Sequence, residues 1–335
     1  MTTRIGRRAF ACRIAVLVAS LGAFCIPGAS HAQQPALPRH IGVLLVGFSP
    51  ASKEPQQFLQ GLQDAGYVEG RDVVIEWRYA NGDYARVPEL VADLVASEVD
   101  AIVVDSTVTT REAKRSTSTI PIVMALVADP VGSGLVTNLA RPGGNVTGLS
   151  QMTVDLSTKR LQLLKNTIPR IARVAVLWNP DTPYHPKVIE DLKAVAPSLS
   201  IKLSFVGVRT PEQFDSVSST VRRAQAQALY VIDDPFFDLH RTTISKLALK
   251  ARLPTTFGQR EFVDEGGLMS YGASYGDLFR RSAGYVDRIL KGMKPGDLPI
   301  EQPTKFEFVV SLRTAQAIGL AIPQSVLLQA DDVIR

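Results

Sequence analysis

ADPVGSGLVTNLARPGGNVTG, residues 128–148, is the stretch that decides the fold of this chain of 335 residues. Before it, the apolar run Ile122–Leu126 is typical of a buried strand, and Asp129-Pro130 ends that strand. Val131–Leu139 has a weakly helical pattern, which the proline and glycines of Arg141–Asn145 interrupt before strand-like sequence resumes. We therefore expect the chain to bend here and to cross from one lobe to another.

Strand and helix patterns alternate on both sides of this bend. Amphipathic segments with apolar residues at helical spacing separate the apolar runs that predict strands. Alternation of this kind predicts parallel sheets, so the expected fold class is α/β with two Rossmann-like lobes. The predicted strands are His40–Val46, Val73–Arg78, Val99–Val104 and Ile122–Leu126 before the bend, and Val174–Leu177, Lys202–Val208, Leu229–Ile232 and Pro254–Phe257 after it.

Two further crossings are predicted at Leu268–Gly272 and Ile300–Glu307, so three strands should form the hinge between the lobes. Because the carboxyl ends of parallel strands share one edge of a sheet, loops from both lobes should face a common cleft. We expect function to reside in that cleft. Predicted lobe 1 comprises residues 39–147 and 273–300, and predicted lobe 2 comprises residues 148–272 and 301–335.

Residues 1–32 have the pattern of an export signal. Arg7-Arg8 belongs to a positively charged start, an apolar run follows, and Ser30-His31-Ala32 suits cleavage after a small residue. Arg7-Arg8 also fits the core of a twin-arginine signal, so the general secretory and twin-arginine routes both remain open. Either route predicts a mature protein that begins near Gln33 and is periplasmic.

The cysteines and charges of the chain argue against several protein classes. Cys12 and Cys25 both lie in the predicted signal, so the mature chain should contain no disulfide and no cysteine nucleophile. A lipid attachment site has a small residue just before its cysteine, and Phe24, which precedes Cys25, is too large for that position. We therefore expect a protein without a lipid anchor. The chain has 37 basic and 32 acidic residues, and the signal holds four arginines and no acid. The mature chain is therefore close to neutral, and we expect no nucleic-acid partner.

The histidines and glycines do not predict an enzyme. His31 lies in the signal, and His40, His185 and His240 have neither metal-ligand spacing nor a G-x-S-x-G partner. Gly132-Ser133-Gly134 lacks the third glycine and the later acidic residue of a dinucleotide-binding turn. A sugar-responsive repressor would need a helix-turn-helix before the first strand, where this chain has its export signal. We expect a binding protein without enzymatic activity, cofactor or metal.

The mature chain contains five motifs that occur in a family order. They are Gly66–Gly70, Asp129–Val131, Arg141–Gly148, Gly266–Gly272 and Gln302–Glu307. With them the whole mature chain resembles the substrate-binding proteins of ABC importers, in the branch that includes binders of tryptophan and other aromatic amino acids. The resemblance implies a type I periplasmic binding protein, whose two lobes close on a small solute as a Venus flytrap.

What the resemblance implies for function is an importer's solute receptor, a monomer that delivers its solute to an ABC permease in the inner membrane. The alternative is a periplasmic ligand sensor that feeds a membrane signalling receptor. The sequence leaves both open, because each partner would dock on exposed helix faces. The identity of the solute stays open as well.

Candidate ligand-binding residues of lobe 1 lie where predicted strands end. Ser49, Ser106 and Thr107 offer hydroxyl and backbone N–H groups suited to a carboxylate, or else they cap the following helices. Asp129 suits a ligand ammonium, or else it serves ordinary turn chemistry before proline.

In lobe 2, Asp233 is the preferred anchor, since it ends a buried strand and would be a costly buried charge without a facing cation. Asn179 and Tyr184 offer an amide and a ring, or else an Asx turn and a helix cap. Gln259 follows a short strand, and Tyr271 is either a ligand-facing ring or a hinge-packing residue. The predicted solute is a small amino-acid-like zwitterion or a carboxylate.

Overall fold

Two β-sheets organise residues 37–335, the part of the chain that the computed structural model describes. The predicted export signal and both cysteines lie outside the described residues. Between residues 37 and 335, none of the helices has the length and apolar character needed to cross a membrane.

The first sheet has five strands in the order β2-β1-β3-β4-β5, all parallel. Its strands are β1 (Arg39–Leu45), β2 (Val73–Tyr79), β3 (Ala101–Val104), β4 (Ile122–Val127) and β5 (Val146–Ser150). The helices that connect them are α1 (Lys53–Asp64), α2 (Val87–Ala96) and α3 (Thr107–Ser116), with a 3₁₀ turn at Tyr84–Arg86.

The second sheet has seven strands in the order β12-β11-β10-β9-β8-β6-β7, and only the β10–β11 pair of the described sheet is antiparallel. Its strands are β6 (Arg173–Trp178), β7 (Lys202–Gly207), β8 (Ala228–Val231), β9 (Thr255–Phe257), β10 (Met269–Ala273), β11 (Phe306–Ser311) and β12 (Asp332–Ile334). The remaining helices are α4 (Thr153–Thr167), α5 (His185–Val195), α6 (Phe214–Arg223), α7 (Pro235–Leu239), α8 (Arg241–Lys250), α9 (Arg260–Asp264), α10 (Tyr275–Leu290), α11 (Leu312–Ile318) and α12 (Gln324–Leu327).

Each sheet is covered on both faces by apolar side chains. Along β1, Val43 and Leu45 face one hydrophobic cluster while Leu44 faces another, as the two-residue period of a strand requires. In β6, Val176 and Leu177 divide in the same way between the two clusters of the second sheet. Strands buried on both faces are typical of parallel sheets with helices on each side, which explains their nearly continuous apolar sequences.

The chain crosses between the sheets three times, and the first crossing follows Ser150 rather than lying within the predicted residues 128–148. After β5 the chain enters α4, which packs on the second sheet. After β10 it returns to the first sheet as α10, whose Phe279 shares a buried cluster with Phe58 of α1. Glu301 donates its backbone N–H to Gly148 (3.0 Å) and accepts one from Ser150 (2.9 Å), which joins the third crossing to the first. The prediction of an α/β fold with two parallel-sheet lobes is confirmed.

The first sheet continues to Ser150, beyond the predicted boundary at residue 147, because Ser150 still pairs with Val127. Below, lobe 1 means residues 37–150 and 275–300, and lobe 2 means the rest of the described chain.

The weakly helical pattern of Val131–Leu139 does not form a helix, and this expectation is wrong. The backbone N–H groups of Leu135 and Val136 both bond to the Pro130 carbonyl (3.0 and 3.2 Å), in a series of turns. Gly134 has a positive φ of 70°, which a helix does not allow. Because glycine has a low helix propensity, burial of the next two side chains, Leu135 and Val136, determines the local conformation.

Candidate ligand-binding cleft

A cavity of about 10 Å³, roughly the space of one water molecule, lies where the two lobes meet. The carboxyl ends of β1, β3 and β4 and the first residue of α10 supply its lobe 1 wall, and the residues after β5, before α5 and at the start of α7 supply its lobe 2 wall. This is the edge at which ligands bind in open α/β sheets. The lining residues are Phe48, Asp105, Ser106, Thr107, Leu126, Ala128, Gln151, Tyr184, Asp234, Pro235, Asp238 and Tyr275.

The first turn of α3 brings two of the predicted residues to the cavity. Ser106 is the N-cap of α3 and shares a reciprocal capping box with Thr109, so the predicted helix cap and the predicted cleft position occur together. Thr107 is only 1% exposed, and its hydroxyl has no hydrogen-bond partner among the described residues. A buried hydroxyl without a partner is uncommon and calls for an explanation.

Asp105 ties this helix start to the loop after β1. Its Oδ2 accepts the backbone N–H groups of Val46 (2.7 Å) and Gly47 (3.0 Å). Burial raises the pKa of Asp105 to about 6, against the lowering effect of those two N–H groups.

Gln151 lines the cavity from the end of β5 and was not predicted from the sequence. Its backbone N–H bonds to the Val127 carbonyl (2.9 Å), which fixes the residue beside β4. The residue is 8% exposed, and its side-chain Oε1 has no hydrogen-bond partner within residues 37–335. Its position after a parallel strand is the signal that could have identified it.

Asp233, the predicted anchor, is already paired within lobe 2. Its Oδ2 lies 2.8 Å from Nη1 of Arg160 on α4, and the two side chains are 5% and 2% exposed. Thr153 donates its hydroxyl to the same oxygen (3.2 Å). Asp233 does not line the cavity. The cation that its burial requires is therefore supplied by the protein.

Asp234 lines the cavity and joins the two lobes. Its carboxylate accepts hydrogen bonds from Thr182 Oγ1, from Asn179 Nδ2 (3.2 Å) and from the backbone N–H of Phe236 (3.0 Å). Tyr84 of lobe 1 donates its hydroxyl to the same carboxylate across the cleft (3.2 Å). Asn179 lies behind this group, and its Oδ1 accepts the N–H of Asp181 in the predicted Asx turn.

Asp238 lies one helical turn beyond Asp234 on α7 and was also not predicted. Its Oδ1 accepts a hydrogen bond from Gln259 Nε2 (2.5 Å), so the predicted residue Gln259 touches the cavity only through Asp238. Burial, reinforced by the negative charges of Asp233 and Asp234, raises the pKa of Asp238 well above its usual range.

Three aromatic rings form the apolar part of the wall. Tyr184 lines the cavity and donates its hydroxyl to the Asp233 carbonyl (2.6 Å). Phe48 and Tyr275 face the cavity from lobe 1, with their ring centroids 6.4 Å apart.

The other predicted residues lie outside the cavity. The backbone N–H of Ser49 bonds to Ser52 Oγ (3.0 Å) at the start of α1. The carboxylate of Asp129 accepts the N–H of Gly132 (2.7 Å) in a turn. The ring of Tyr271 packs beside Phe306 (6.1 Å between centroids).

Within the described part of the chain, no three histidine, cysteine or acidic residues group as metal ligands would.

The two lobes are in contact at the cavity mouth. A Cβ added to Gly47 of lobe 1 would lie 2.8 Å from the Cα and 2.9 Å from the carbonyl oxygen of Pro235 of lobe 2. Only glycine allows so close an approach of the two backbones.

Comparison with known proteins agrees with this architecture. The chain is 27% identical over 285 residues to a tyrosine-binding protein of Clostridioides difficile (strain R20291), a match that covers 84% of this chain and 81% of the relative. It is similar to the ABC domain of Streptococcus pneumonia solved in complex with L-Trp, with a TM-score of 0.78 and 27% identity over 89% of this chain and all of the other.

A second similar structure is the ligand-free, open form of a substrate-binding protein with adhesive properties from Clostridium difficile. Its TM-score is 0.62 at 25% identity, over 89% of this chain and 99% of the other. At nearly equal identity, the whole chain is thus more similar in structure to the L-Trp complex than to the open form. The profile of the family described as ABC transporter substrate binding protein matches residues 43–334. The chain belongs to the family of ABC transporter substrate-binding proteins.

Proposed function

We propose that this protein is the extracytoplasmic receptor of an ABC importer, which captures an amino-acid-like solute between its lobes and delivers it to a permease in the inner membrane. The observation that carries the proposal is a pair of buried polar atoms, Thr107 Oγ1 and Gln151 Oε1, that line the interlobe cavity without a partner among the described residues. A hydroxyl and an amide oxygen buried in this way are suited to donors and acceptors brought by a ligand.

The chemistry of the wall favours an α-amino acid. The N-terminus of α3, with the hydroxyl of Thr107 at its first position, is suited to a carboxylate. Gln151 Oε1 and the acidic side chains of α7 are suited to an ammonium. Phe48, Tyr184 and Tyr275 offer rings to an aromatic side chain. Two relatives, one named for tyrosine and one solved with L-Trp, support an aromatic amino acid as the solute.

The predicted export signal supports a periplasmic location, reached by either export route and without a lipid anchor. The family supports a role as a monomeric receptor that acts by binding alone. The permease would recognise the form in which the lobes enclose the solute.

Calorimetry with the mature protein and a panel of L-tryptophan, L-tyrosine, L-phenylalanine and neutral sugars tests the proposal. We expect an aromatic amino acid to bind and the sugars not to. Thr107→Val keeps the shape and removes the hydroxyl, so affinity should fall about 10-fold to 100-fold, the value of a hydrogen bond to a charged group.

Thr256→Val is the matched control. Thr256 is also fully buried with an unpartnered hydroxyl, but it lies in β9 and does not line the cavity. It should leave affinity unchanged. Equal affinity of the two variants, or a preference of the wild-type protein for sugars, would contradict the proposed function.

A further inference from the structure

We propose that Asp238 is the counter-charge of the ligand's cationic group, so that the cleft selects solutes that carry an ammonium. The inference rests on the proposed function and adds to it the residue that discriminates amino acids from other carboxylates. It places the two charges of an α-amino acid on opposite lobes, the carboxylate at Thr107 and the ammonium at Asp238.

Four buried aspartates surround the cavity, and they differ in how far their oxygens are occupied. Asp105 accepts two backbone N–H groups, Asp233 faces Arg160, and Asp234 accepts hydrogen bonds from four groups. Asp238 accepts a side-chain hydrogen bond at Oδ1 alone, and its Oδ2 has no hydrogen-bond donor within residues 37–335. Of the three that line the cavity, Asp105, Asp234 and Asp238, only Asp238 has an oxygen without a donor within residues 37–335, since Asp105 Oδ1 accepts a bond from Thr109 Oγ1 (3.5 Å) and both oxygens of Asp234 are occupied.

Two hydrogen bonds within lobe 2 hold Asp238 in position. Its backbone N–H bonds to the Asp234 carbonyl (2.9 Å), and Gln259 Nε2 holds Oδ1. The residue is 4% exposed and lines the cavity. A carboxyl that is rigid, buried and open on one oxygen is already oriented for a ligand donor, which lowers the ordering cost of binding.

Within residues 37–335 no lysine or arginine forms an ion pair with this carboxyl, and the nearby charge of Arg241 offsets its burial only in part. Arg160 is paired with Asp233, and Arg241 donates Nη1 to the backbone carbonyl of Asp238 (2.9 Å). A buried carboxylate without a cation is costly, and a ligand ammonium would offset that cost. The titratable and charged groups around Asp238 are Asp233 and Asp234 before α7, Tyr184 before α5, Arg241 of α8 and Tyr275 of lobe 1, and Asp105 lines the same cavity.

Ligand binding then replaces the proton on the Asp238 carboxyl with the ammonium of the ligand. Burial and the neighbouring aspartates raise the pKa of this carboxyl and so favour its protonated form in the absence of ligand. When the ammonium arrives, the proton leaves for solvent and the carboxylate pairs with the ammonium. Affinity should therefore weaken as pH falls, and binding should release a proton.

The test compares L-tryptophan with indole-3-propionate, which lacks only the ammonium, on wild-type protein and on Asp238→Asn. Wild type should bind tryptophan at least about 100-fold more tightly, the value of a close buried charge pair. Asp238→Asn should lose about that factor for tryptophan and keep its affinity for indole-3-propionate. Proton release, measured from binding enthalpies in several buffers, should disappear in the variant.

Asp215→Asn is the control, because it removes one exposed carboxylate from α6 of the same lobe. It should preserve both affinities and the proton release. An Asp238→Asn protein that still prefers tryptophan by the wild-type factor would overturn the inference while leaving the proposed function intact.

A ligand-free measurement separates the two proposals further. If wild type binds no amino acid, the proposed function fails. Urea unfolding of wild type and of Asp238→Asn then tests whether the Asp238 carboxyl has a partner within the protein. An unpaired carboxyl predicts that Asp238→Asn is at least as stable as wild type at pH 8, with a difference that shrinks toward pH 5. A clear loss of stability would show that the carboxylate has a partner within the protein, and would overturn the inference.

Discussion

Asp233 and Asp234 are neighbours in sequence but perform different tasks. The side chain of Asp233 turns to Arg160 in the interior of lobe 2, and that of Asp234 turns to Tyr84 across the cleft. Because both members of the Asp233–Arg160 pair are almost fully buried, each is the other's only means of charge compensation among the described ion pairs. The Asp233–Arg160 pair therefore supports the cleft wall from inside lobe 2 and does not line the cavity.

Asp233→Asn should destabilise the protein, since it leaves the Arg160 guanidinium buried without a counter-charge. Removal of one partner from a buried ion pair costs about 3–5 kcal/mol. Urea unfolding monitored by circular dichroism measures this loss. A variant with wild-type stability and no affinity for an amino acid would instead make Asp233 the ligand's anchor, as the sequence suggested.

Asp181→Asn provides the matched comparison. Asp181 pairs with Arg209 at 3.1 Å, but both side chains are about half exposed. The same substitution there should cost at most about 1 kcal/mol, because water screens and solvates both charges.

At the scale of elements, several strands, such as β1, β3 and β8, could be predicted because each is a short apolar run that ends at glycine or aspartate, whereas β2 was predicted from its alternating pattern. The parallel arrangement then placed Ser106, Thr107 and Tyr184 at one edge, where the structure has them line the same cavity. What the sequence could not reveal is which side chain turns inward. Asp233 and Asp234 are adjacent in sequence, and only the packing of α4 against β9 and β10 separates them.

Gln151 and Asp238 were missed for a related reason. Gln151 follows the crossing strand β5, and Asp238 lies on the five-residue helix α7, an element too short for a periodic pattern to indicate. Val131–Leu139 shows the opposite error, in which a weak pattern predicted a helix that is incompatible with the positive φ of Gly134.

The loop after β1 and the start of α3 are coupled through Asp105, which gives a prediction for pH. The pKa of Asp105 rises from its usual 3.8 to about 6 on folding, so the folded chain binds the extra proton between these values. Its contribution to stability therefore falls as pH rises through this window, by about 3 kcal/mol for a shift of about two pH units. Asp105→Asn keeps an acceptor oxygen and should abolish that part of the pH dependence.

Urea unfolding of both chains from pH 4 to pH 7 measures the effect. Other acidic groups titrate in both proteins, so the difference between the two curves isolates Asp105. Wild type should lose stability relative to Asp105→Asn as pH rises, and parallel curves would contradict the role assigned to burial.

For the molecule as a whole, the described structure has its lobes in contact, with Tyr84 bonded to Asp234 and Gly47 against Pro235. A solute that touches both lobes binds this arrangement better than a separated one and shifts the population toward it. The contacts at the mouth contribute only when the lobes are together. Substitutions at these contacts should therefore affect the affinity for the solute more than the folding of either lobe.

Gly47→Ala tests this idea most directly. The added Cβ would lie 2.8 Å from the Pro235 Cα and 2.9 Å from its carbonyl oxygen, closer than real Cβ contacts, so the lobes could not reach their present separation. Affinity for the amino acid should fall about 10-fold or more, since a misfit of this kind costs about 1–3 kcal/mol and acts on the ligand-bound arrangement alone. Small-angle scattering should also show a smaller decrease in radius of gyration on addition of ligand than for wild type.

The same substitution at Gly284 on α10 is the control, because a Cβ there meets nothing within 4 Å. Gly284→Ala should keep wild-type affinity and compaction, and should gain about 0.5–1 kcal/mol of stability from helix propensity. If Gly47→Ala binds and compacts like Gly284→Ala, the lobes do not close over the Gly47–Pro235 contact. Capture of the solute would then depend on the cleft walls and not on this contact. The hydrogen bond between Tyr84 and Asp234 would be the next contact between the lobes to test.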